Sequence, residues 1–269
     1  MLGRPDDNGG REKRLRVRRI RRFTIRSIAP NVMTILALAA GMTAIRFALD
    51  ERWEAAIVAV VVAGVFDGLD GTVARLLKGT SRFGAELDSL SDAISFGVAP
   101  AIILYLWGLD TLGGLGWGVA LGFAVCCTLR LARFNSALDD DEQPLKRAGY
   151  MTGVPAPAAA GLSLMPVMIF FAQGWQAAVP PIGIAVWTGF VALLMVSRVP
   201  TFSFKALVVG RNELVPLLVT VALFAGLVSV YTWWSLLVIG FAYLASIPLS
   251  WIRARRRLAR WASKRQRHS

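Results

Sequence analysis

Long apolar runs are the feature of this 269-residue chain that most restricts its fold. Eight runs of 17 to 25 mostly apolar residues are separated by charged or helix-breaking segments: 32–49, 53–77, 86–108, 113–134, 154–173, 177–196, 214–230 and 232–252. About 20 apolar residues suffice for a helix to cross the ~30 Å hydrocarbon core of a bilayer. Because 55% of all residues are hydrophobic, we expect an all-α, polytopic transmembrane bundle of about eight spans rather than a soluble domain.

The basic residues predict how this bundle is oriented. If the eight spans are threaded back and forth, 28 of the 30 Lys and Arg residues fall on one side, and only Arg46 and Arg52 fall on the other. Cytoplasmic loops carry the excess of Lys and Arg, so we expect both termini in the cytoplasm and the protein in the cell (inner) membrane. The basic ends could also suggest nucleic-acid binding, but neither contains a recognition module; contact with anionic membrane lipids is the better interpretation.

Several kinds of catalytic and metal site are excluded by composition. The single histidine, His268, lies in the basic tail, and the two cysteines, Cys126 and Cys127, are adjacent within an apolar run. Zinc fingers, His-based metal triads, Ser-His-Asp triads and a disulfide framework are therefore excluded. Any chemistry must use carboxylates, arginines and hydroxyl groups.

Carboxylates are concentrated where the second and third runs approach the cytoplasm. Asp70 lies about seven residues, or ~10 Å, from the inner end of run two, while Asp88 and Asp92 lie ~3–9 Å inside run three. Asp67 shares a helix face with Asp70, and Asp88 shares one with Asp92, because these residues are three and four positions apart. Charged groups within spans are costly and mark functional sites. We therefore expect the four carboxylates to meet near the cytoplasmic face.

Four converging carboxylates require cations. An all-oxygen cluster suits hard divalent ions such as Mg²⁺ or Mn²⁺, and two such ions could clamp a pyrophosphate. Paired acids within spans also occur in cation transporters, so the carboxylates alone leave an enzyme and a transporter open.

The sequence around these carboxylates resembles a known signature. From Asp67 to Asp92 the chain matches every fixed position of the pattern D-x2-D-G-x2-A-R-x8-G-x3-D-x3-D, which is typical of the CDP-alcohol phosphotransferases. The flanking segments 88–100, 130–135 and 153–157 are similar to those of the phosphatidylserine synthases within that family. The resemblance implies phosphatidyl transfer from CDP-diacylglycerol to the hydroxyl group of L-serine, with release of CMP.

The resemblance also implies roles for particular residues. Two divalent ions, Mg²⁺ or Mn²⁺, would be held by four aspartates, of which the last would also be the general base: Asp67, Asp70, Asp88 and Asp92. The CDP-lipid would be contacted by Asn31, Thr34, Gly71, Arg75 and Ser81. A homodimer is expected from the same resemblance.

The serine acceptor needs a partner for its carboxylate. Arg130 and Arg133, at the cytoplasmic end of run four, are the candidates, and Asn135 could accept a hydrogen bond from the serine amine. Basic residues are also expected at this end for reasons of topology alone. Transfer to another acceptor, such as glycerol 3-phosphate, inositol phosphate or choline, is the alternative within the same chemistry.

These interpretations divide the chain into four parts. We expect a basic cytoplasmic arm at 1–30, the catalytic core of six spans at 31–212, two additional spans at 213–252 and a basic cytoplasmic tail at 253–269. The active site is expected to face the cytoplasm.

Overall fold

The computed structural model describes residues 25–77, 82–136, 150–174, 179–197, 199–202 and 230–266. At 25–30, 71–77, 82, 150–152, 200–202 and 251–266 it describes the backbone only. The statements below concern these ranges. The predicted seventh span, 214–230, lies almost entirely outside them.

Helices α1 (Ile25–Leu49) and α2 (Trp53–Leu77) form an antiparallel hairpin with an extensive contact between them. Glu51, in the connecting turn, has a left-handed backbone with φ 56°. Small residues allow the two helices to approach closely, as expected where apolar side chains gain little from association in lipid. Six alanines of these two helices are buried: Ala37, Ala44, Ala48, Ala56, Ala59 and Ala63.

The third predicted span consists of two α-helices joined by a wider turn. Helix α3 (Arg82–Asp92) continues through a π-helical segment, Ala93–Val98, into α4 (Ala99–Trp107). A 3₁₀ turn, Leu109–Leu112, then leads to α5 (Gly114–Ser136). Gly116 is required at the start of α5, because any Cβ there would overlap the carbonyl of Leu109. The spans predicted at 86–108 and 113–134 are thus present as helices.

The fifth predicted span is bent. Helices α6 (Ala156–Ser163) and α7 (Met165–Gln173) meet at 44°. Pro166 has no N–H group to bond the carbonyl of Leu162, as the i to i−4 pattern would require. Trp187, on α8 (Pro181–Val196), donates its indole N–H to that carbonyl at 2.7 Å. The bend is therefore stabilised by a neighbouring helix that satisfies the group the proline leaves unbonded.

One short ribbon accompanies the helices. Strand β1 (Tyr150–Thr152) pairs antiparallel with β2 (Pro200–Phe202), with Tyr150 opposite Phe202. Gly153 follows β1 with φ 77° and donates its N–H to the carbonyl of Val199 at 2.8 Å. Apart from this ribbon, the elements of the described residues are helices, in agreement with the predicted all-α class. The ribbon connects the segment before α6 with the segment after α8.

The last helix, α9 (Thr232–Gln266), is 35 residues long and contains Pro248. Its apolar part, Thr232–Ser250, corresponds to the predicted eighth span, and its backbone continues as a helix into the basic tail.

Length and hydropathy support a multi-pass membrane protein. Among the described residues, four helical segments are long and apolar enough to cross a membrane, and the bent pair α6–α7 makes a fifth if it is counted as one span. Helix α2 has the necessary length but carries Glu54, Asp67 and Asp70, and α8 has 16 residues. The count of eight spans and the cytoplasmic location of the termini stay predictions.

Four helix ends meet on one side of the bundle, where their aromatic rings are in contact. The start of α2, the end of α4, the end of α7 and the start of α9 meet through ring contacts with centroids 5.0–5.6 Å apart. We call this the aromatic end; it consists of Trp53, Trp107, Phe170, Phe171 and Trp233. Because α2 runs away from it and α3–α4 runs toward it, the predicted carboxylates lie at the opposite end.

Candidate metal centre

Three carboxylates meet where α2 and α3 face each other. Oxygen atoms of Asp67, Asp70 and Asp88 all lie within 4.8 Å of one another. Asp70 is buried, with 7% of its surface exposed, and the other two are half-buried. The convergence of these two helices, predicted from their sequence positions, is confirmed for these three residues.

Asp92 lies beside this trio, one helical turn further along α3. It interacts electrostatically with all three carboxylates and with the guanidinium of Arg130. It is not part of the group whose oxygens approach within 4.8 Å. The predicted role of Asp92 as a fourth metal ligand therefore stays a prediction, while its position in the same local field agrees with the sequence analysis.

Helix α1 holds the trio through hydroxyl groups. The Thr34 hydroxyl donates to Oδ2 of Asp70 at 2.9 Å, and Thr34 is itself buried. On α3, the Ser91 hydroxyl donates to the Thr34 carbonyl at 3.2 Å. Thr34, expected to contact the CDP-lipid, is thus also in direct contact with a candidate metal ligand. Such outer contacts fix the orientation of a ligating carboxylate.

The same packing continues into the π-helical segment after Asp92. The Ser95 hydroxyl donates to the Ala37 carbonyl at 3.1 Å. Gly41 provides the room for this contact, because a Cβ there would overlap the Ser95 side chain. The sequence analysis did not identify Ser91, Ser95 or Gly41, although two serines four residues apart beside Asp92 are a visible signal of a polar helix face. π-helical turns are frequently found at functional sites.

Arg130 is the buried cation of the site. It has 7% of its surface exposed, lies on α5 and interacts electrostatically with Asp92 and with Tyr243 of α9. Its Nε has no hydrogen-bond partner among the described residues. A buried charge is costly unless it is compensated, and here the carboxylate of Asp92 supplies opposite charge.

The other two acceptor candidates make structural contacts. Arg133 donates to the carbonyls of Val196 and Ser197 at 2.9 and 3.2 Å, at the end of α8. A helix leaves its last carbonyls without intrahelical partners, and a cation there also opposes the helix dipole. Asn135 donates its Nδ2 to the Ser89 hydroxyl at 2.8 Å, which ties α5 to α3.

The remaining candidates are described only in part. Asn31 is half-buried on α1, one turn before Thr34. Gly71 and Arg75 belong to the last turns of α2, whose side chains lie outside the described part, and Ser81 lies outside the described residues. Their predicted contacts with the CDP-lipid stay predictions.

The residues of the trio fit a divalent cation. Their donor atoms are all carboxylate oxygens, on two helices and close enough to share one ion. Together with Asp92 they form an acidic cluster. Arg130 is the cation among the described residues that interacts electrostatically with Asp92. Three carboxylates so close together repel one another unless a cation neutralises them, and oxygen ligands favour Mg²⁺ or Mn²⁺ over zinc.

Comparison with known proteins identifies the family. The sequence pattern of the CDP-alcohol phosphatidyltransferase family matches residues 27–196, which include α1 to α8 apart from the first residues of α1. A Mycobacterium bovis protein named CDP-diacylglycerol–serine O-phosphatidyltransferase is 40% identical over 234 residues, covering 86% of this chain and 80% of the relative.

Two more distant relatives cover less of the chain. A Helicobacter pylori (strain 26695) protein of the same name is 39% identical over 140 residues, covering 52% of this chain and 57% of its own. An archaetidylserine synthase from Methanothermobacter thermautotrophicus is 37% identical over 136 residues, covering 49% and 54%. The family match and the carboxylate geometry agree, and this chain belongs to the CDP-alcohol phosphatidyltransferase family.

Proposed function

We propose that this protein transfers the phosphatidyl group of CDP-diacylglycerol to the hydroxyl group of L-serine, giving phosphatidylserine and CMP. The convergence of Asp67, Asp70 and Asp88 beside Asp92 and Arg130 is the observation that carries the proposal. The extensive similarity to a protein named for this reaction supports the choice of serine as acceptor.

Asp67, Asp70, Asp88 and Asp92 would hold two divalent cations, Mg²⁺ or Mn²⁺. When bound, such ions supply positive charge that neutralises a pyrophosphate and stabilises charge developing on its oxygens. The hydrogen bond from Thr34 keeps Asp70 oriented toward the other carboxylates. Gly71, Arg75 and Ser81, with Asn31 and Thr34 on α1, would contact the CDP-lipid.

Asp92 acts as the general base. It accepts the proton of the serine hydroxyl as the serine oxygen bonds to the lipid-linked phosphorus, and the bond from that phosphorus to CMP breaks. Asp92 interacts electrostatically both with the trio and with Arg130, so it lies next to the proposed sites for the metal ions and for serine. Since the only histidine is His268 in the tail, a carboxylate is the group available for this role.

Arg130 binds the carboxylate of serine. It is buried, it interacts with Asp92, and its Nε is available to an acceptor. Serine bound there would have its hydroxyl near the proposed base. Arg133 is engaged with the end of α8, and Asn135 with Ser89, so we assign these two residues to the support of the site.

The lipid substrate and product imply reaction at a membrane surface. We propose that the site opens to the cytoplasm, where 28 of the 30 basic residues would lie, and that the protein resides in the cell membrane as a homodimer. The basic ends, 1–30 and 253–269, would contact anionic lipid head groups.

An acceptor panel tests the proposed reaction. Purified protein is given CDP-diacylglycerol, Mg²⁺ or Mn²⁺, and either L-serine, glycerol 3-phosphate, inositol phosphate or choline, and CMP release is measured. We expect L-serine to exceed every other acceptor at least about 100-fold in kcat/KM, because a site built to bond a polar substrate rejects analogues that leave its groups unpaired. A higher kcat/KM with a different acceptor than with L-serine would overturn the choice of serine. No CMP with any acceptor, together with cation flux in liposomes, would favour a transporter.

Substituting lysine for Arg130 tests the acceptor site. We expect the Arg130→Lys protein to show a serine KM raised about 10-fold or more and an unchanged KM for CDP-diacylglycerol. Lysine keeps the charge but loses the planar fork that binds a carboxylate through two hydrogen bonds. The comparison is Arg133→Ala, whose expected effect is a lower melting temperature, because two hydrogen bonds to the end of α8 are lost. The reverse pattern would assign the serine carboxylate to Arg133.

A further inference from the structure

Helix α9 turns one face toward the bundle, and Tyr243 lies on that face. Leu237 and Ile247 are buried there, with 3% and 9% of their surfaces exposed. Between them, Gly240 lets α9 approach α7, because a Cβ at this position would lie 3.0 Å from the Met165 sulfur. Positions 237, 240, 243 and 247 are three or four residues apart and therefore share a helix face. Large exposed side chains lie on the opposite face: Val238, Phe241 and Leu249.

The hydroxyl group of Tyr243 is buried near Arg130. Its oxygen is shielded from solvent, and Tyr243 interacts electrostatically with Arg130 of α5. Arg130 is itself buried and also interacts with Asp92 of α3. Its Nε has no hydrogen-bond partner among the described residues, so this N–H group is available to an acceptor. The guanidinium is thus influenced by two helices besides its own.

The surroundings of Tyr243 strengthen this interaction. Tyr243 lines a cavity between α2, α6, α7 and α9 whose wall otherwise consists of aliphatic side chains, methionine, proline, glycine and Ser246. The Ser246 hydroxyl donates to the Tyr243 carbonyl at 2.6 Å, within α9. A hydroxyl group among apolar side chains is costly unless another polar group acts on it, and the attraction between a charge and a dipole is stronger where water is excluded. The side chains of Arg130 and Tyr243 therefore stabilise each other's positions.

We propose that Tyr243 is a positioning residue for the acceptor: its hydroxyl oxygen attracts the guanidinium of Arg130 and fixes the orientation in which that group binds the carboxylate of L-serine. The inference rests on the proposed function, in which Arg130 binds serine. A guanidinium has N–H donors in a fixed plane and no acceptor, so its orientation decides whether it can bind a carboxylate through two hydrogen bonds. A neutral hydroxyl group suits this role, because an ionised side chain in its place would itself occupy the guanidinium.

This role gives α9 a function that the matched family region does not contain. The family match ends at residue 196, and Tyr243 lies beyond it. The carboxylate trio lies on α2 and α3, within the match. We therefore expect α9 to influence the affinity for the acceptor without influencing the binding of the CDP-lipid.

Replacing Tyr243 by phenylalanine tests this role, because it removes the hydroxyl group and keeps the ring. For Tyr243→Phe we expect a serine KM raised about 5-fold or more in serine-dependent CMP release, as for loss of a contact to a charged group. We expect an unchanged kcat, an unchanged KM for CDP-diacylglycerol and an unchanged melting temperature. Tyr105→Phe is the matched control: Tyr105 is also half-buried, and its ring packs edge-on against Trp117 of α5. Its kinetic constants are expected to equal those of the unaltered protein.

A double variant tests whether Tyr243 acts through Arg130. The ammonium group of a lysine is a point charge without a plane to orient. The serine KM of the protein with both Arg130→Lys and Tyr243→Phe is therefore expected to equal that of Arg130→Lys alone, since two residues that act together give non-additive effects. A further rise by the full factor seen for Tyr243→Phe alone would overturn the positioning role.

Other outcomes separate this inference from the proposed reaction. A serine KM of Tyr243→Phe equal to that of the unaltered protein would overturn the inference and leave the reaction standing. A lower melting temperature with all kinetic constants changed alike would assign Tyr243 to packing, and would also overturn it. No serine-dependent CMP release by the unaltered protein would instead overturn the proposed reaction.

Discussion

Asp92→Asn lowers kcat for serine-dependent CMP release by about 10³-fold, while the protein still binds the CDP-lipid. An amide has nearly the same shape as a carboxylate but cannot accept the proton of the attacking hydroxyl, and general-base catalysis contributes about 10²–10⁴-fold to a rate. The measurement is a single-turnover assay of CMP release at saturating serine, with binding of CDP-diacylglycerol measured separately.

The control for this variant lies on the same helix. Glu86→Gln removes an exposed carboxylate of α3 that is not part of the trio, and we expect its kcat to match that of the unaltered protein. Turnover by Asp92→Asn within a factor of a few of normal would remove Asp92 from the role of base. Loss of CDP-lipid binding together with turnover would instead leave Asp92 with the role of a metal ligand alone.

The second large effect is expected at Asp88. Its oxygen lies within 4.8 Å of oxygens of Asp67 and Asp70, so it completes the trio from α3. Asp88→Asn is expected to reduce the number of tightly bound Mn²⁺ ions and to lower kcat/KM at least about 10³-fold, because an amide oxygen is a neutral and weaker ligand. Electron paramagnetic resonance of free Mn²⁺ in a titration measures the first quantity, and CMP release measures the second.

Asp110→Asn is the matched control for the metal titration. Asp110 is exposed in the turn after α4, near the aromatic end, and its carboxylate accepts only the N–H of Thr111 among the contacts described for it. We expect its Mn²⁺ stoichiometry and its activity to be normal. If Asp88→Asn binds Mn²⁺ as tightly and in the same number as the unaltered protein, the trio is not the metal centre.

The meeting of the carboxylates could be predicted because it depends on regular geometry. Residues three or four apart share a helix face, and two consecutive spans run in opposite directions, so Asp67, Asp70 and Asp88 had to reach similar depth. Only the rotation of α2 and α3 toward each other was left undetermined. The structure supplies it through hydroxyl contacts to α1, such as Thr34 to Asp70 and Ser91 to Thr34.

Features that depend on distant partners could not be predicted. Arg133 contacts carbonyls 63 and 64 residues away, and its sequence position gave no sign of which helix end it would meet. The ribbon pairs residues near 150 with residues near 200, and strands of three residues have no periodicity to detect. The bend between α6 and α7 had a visible cause in Pro166, whereas the indole of Trp187 that stabilises it is again a distant partner.

The π-helical segment after Asp92 lets the two halves of one continuous span present their side chains in different directions. A π turn holds about one residue more than an α turn, so the side chains of α4 are rotated by roughly 100° from where α3 alone would direct them. As a result, α3 aims its aspartates at α2 while α4 buries Ile103 and Leu104 in the core. The direction in which α3 presents its aspartates and the direction in which α4 presents its core residues are therefore set independently, although the helix is continuous.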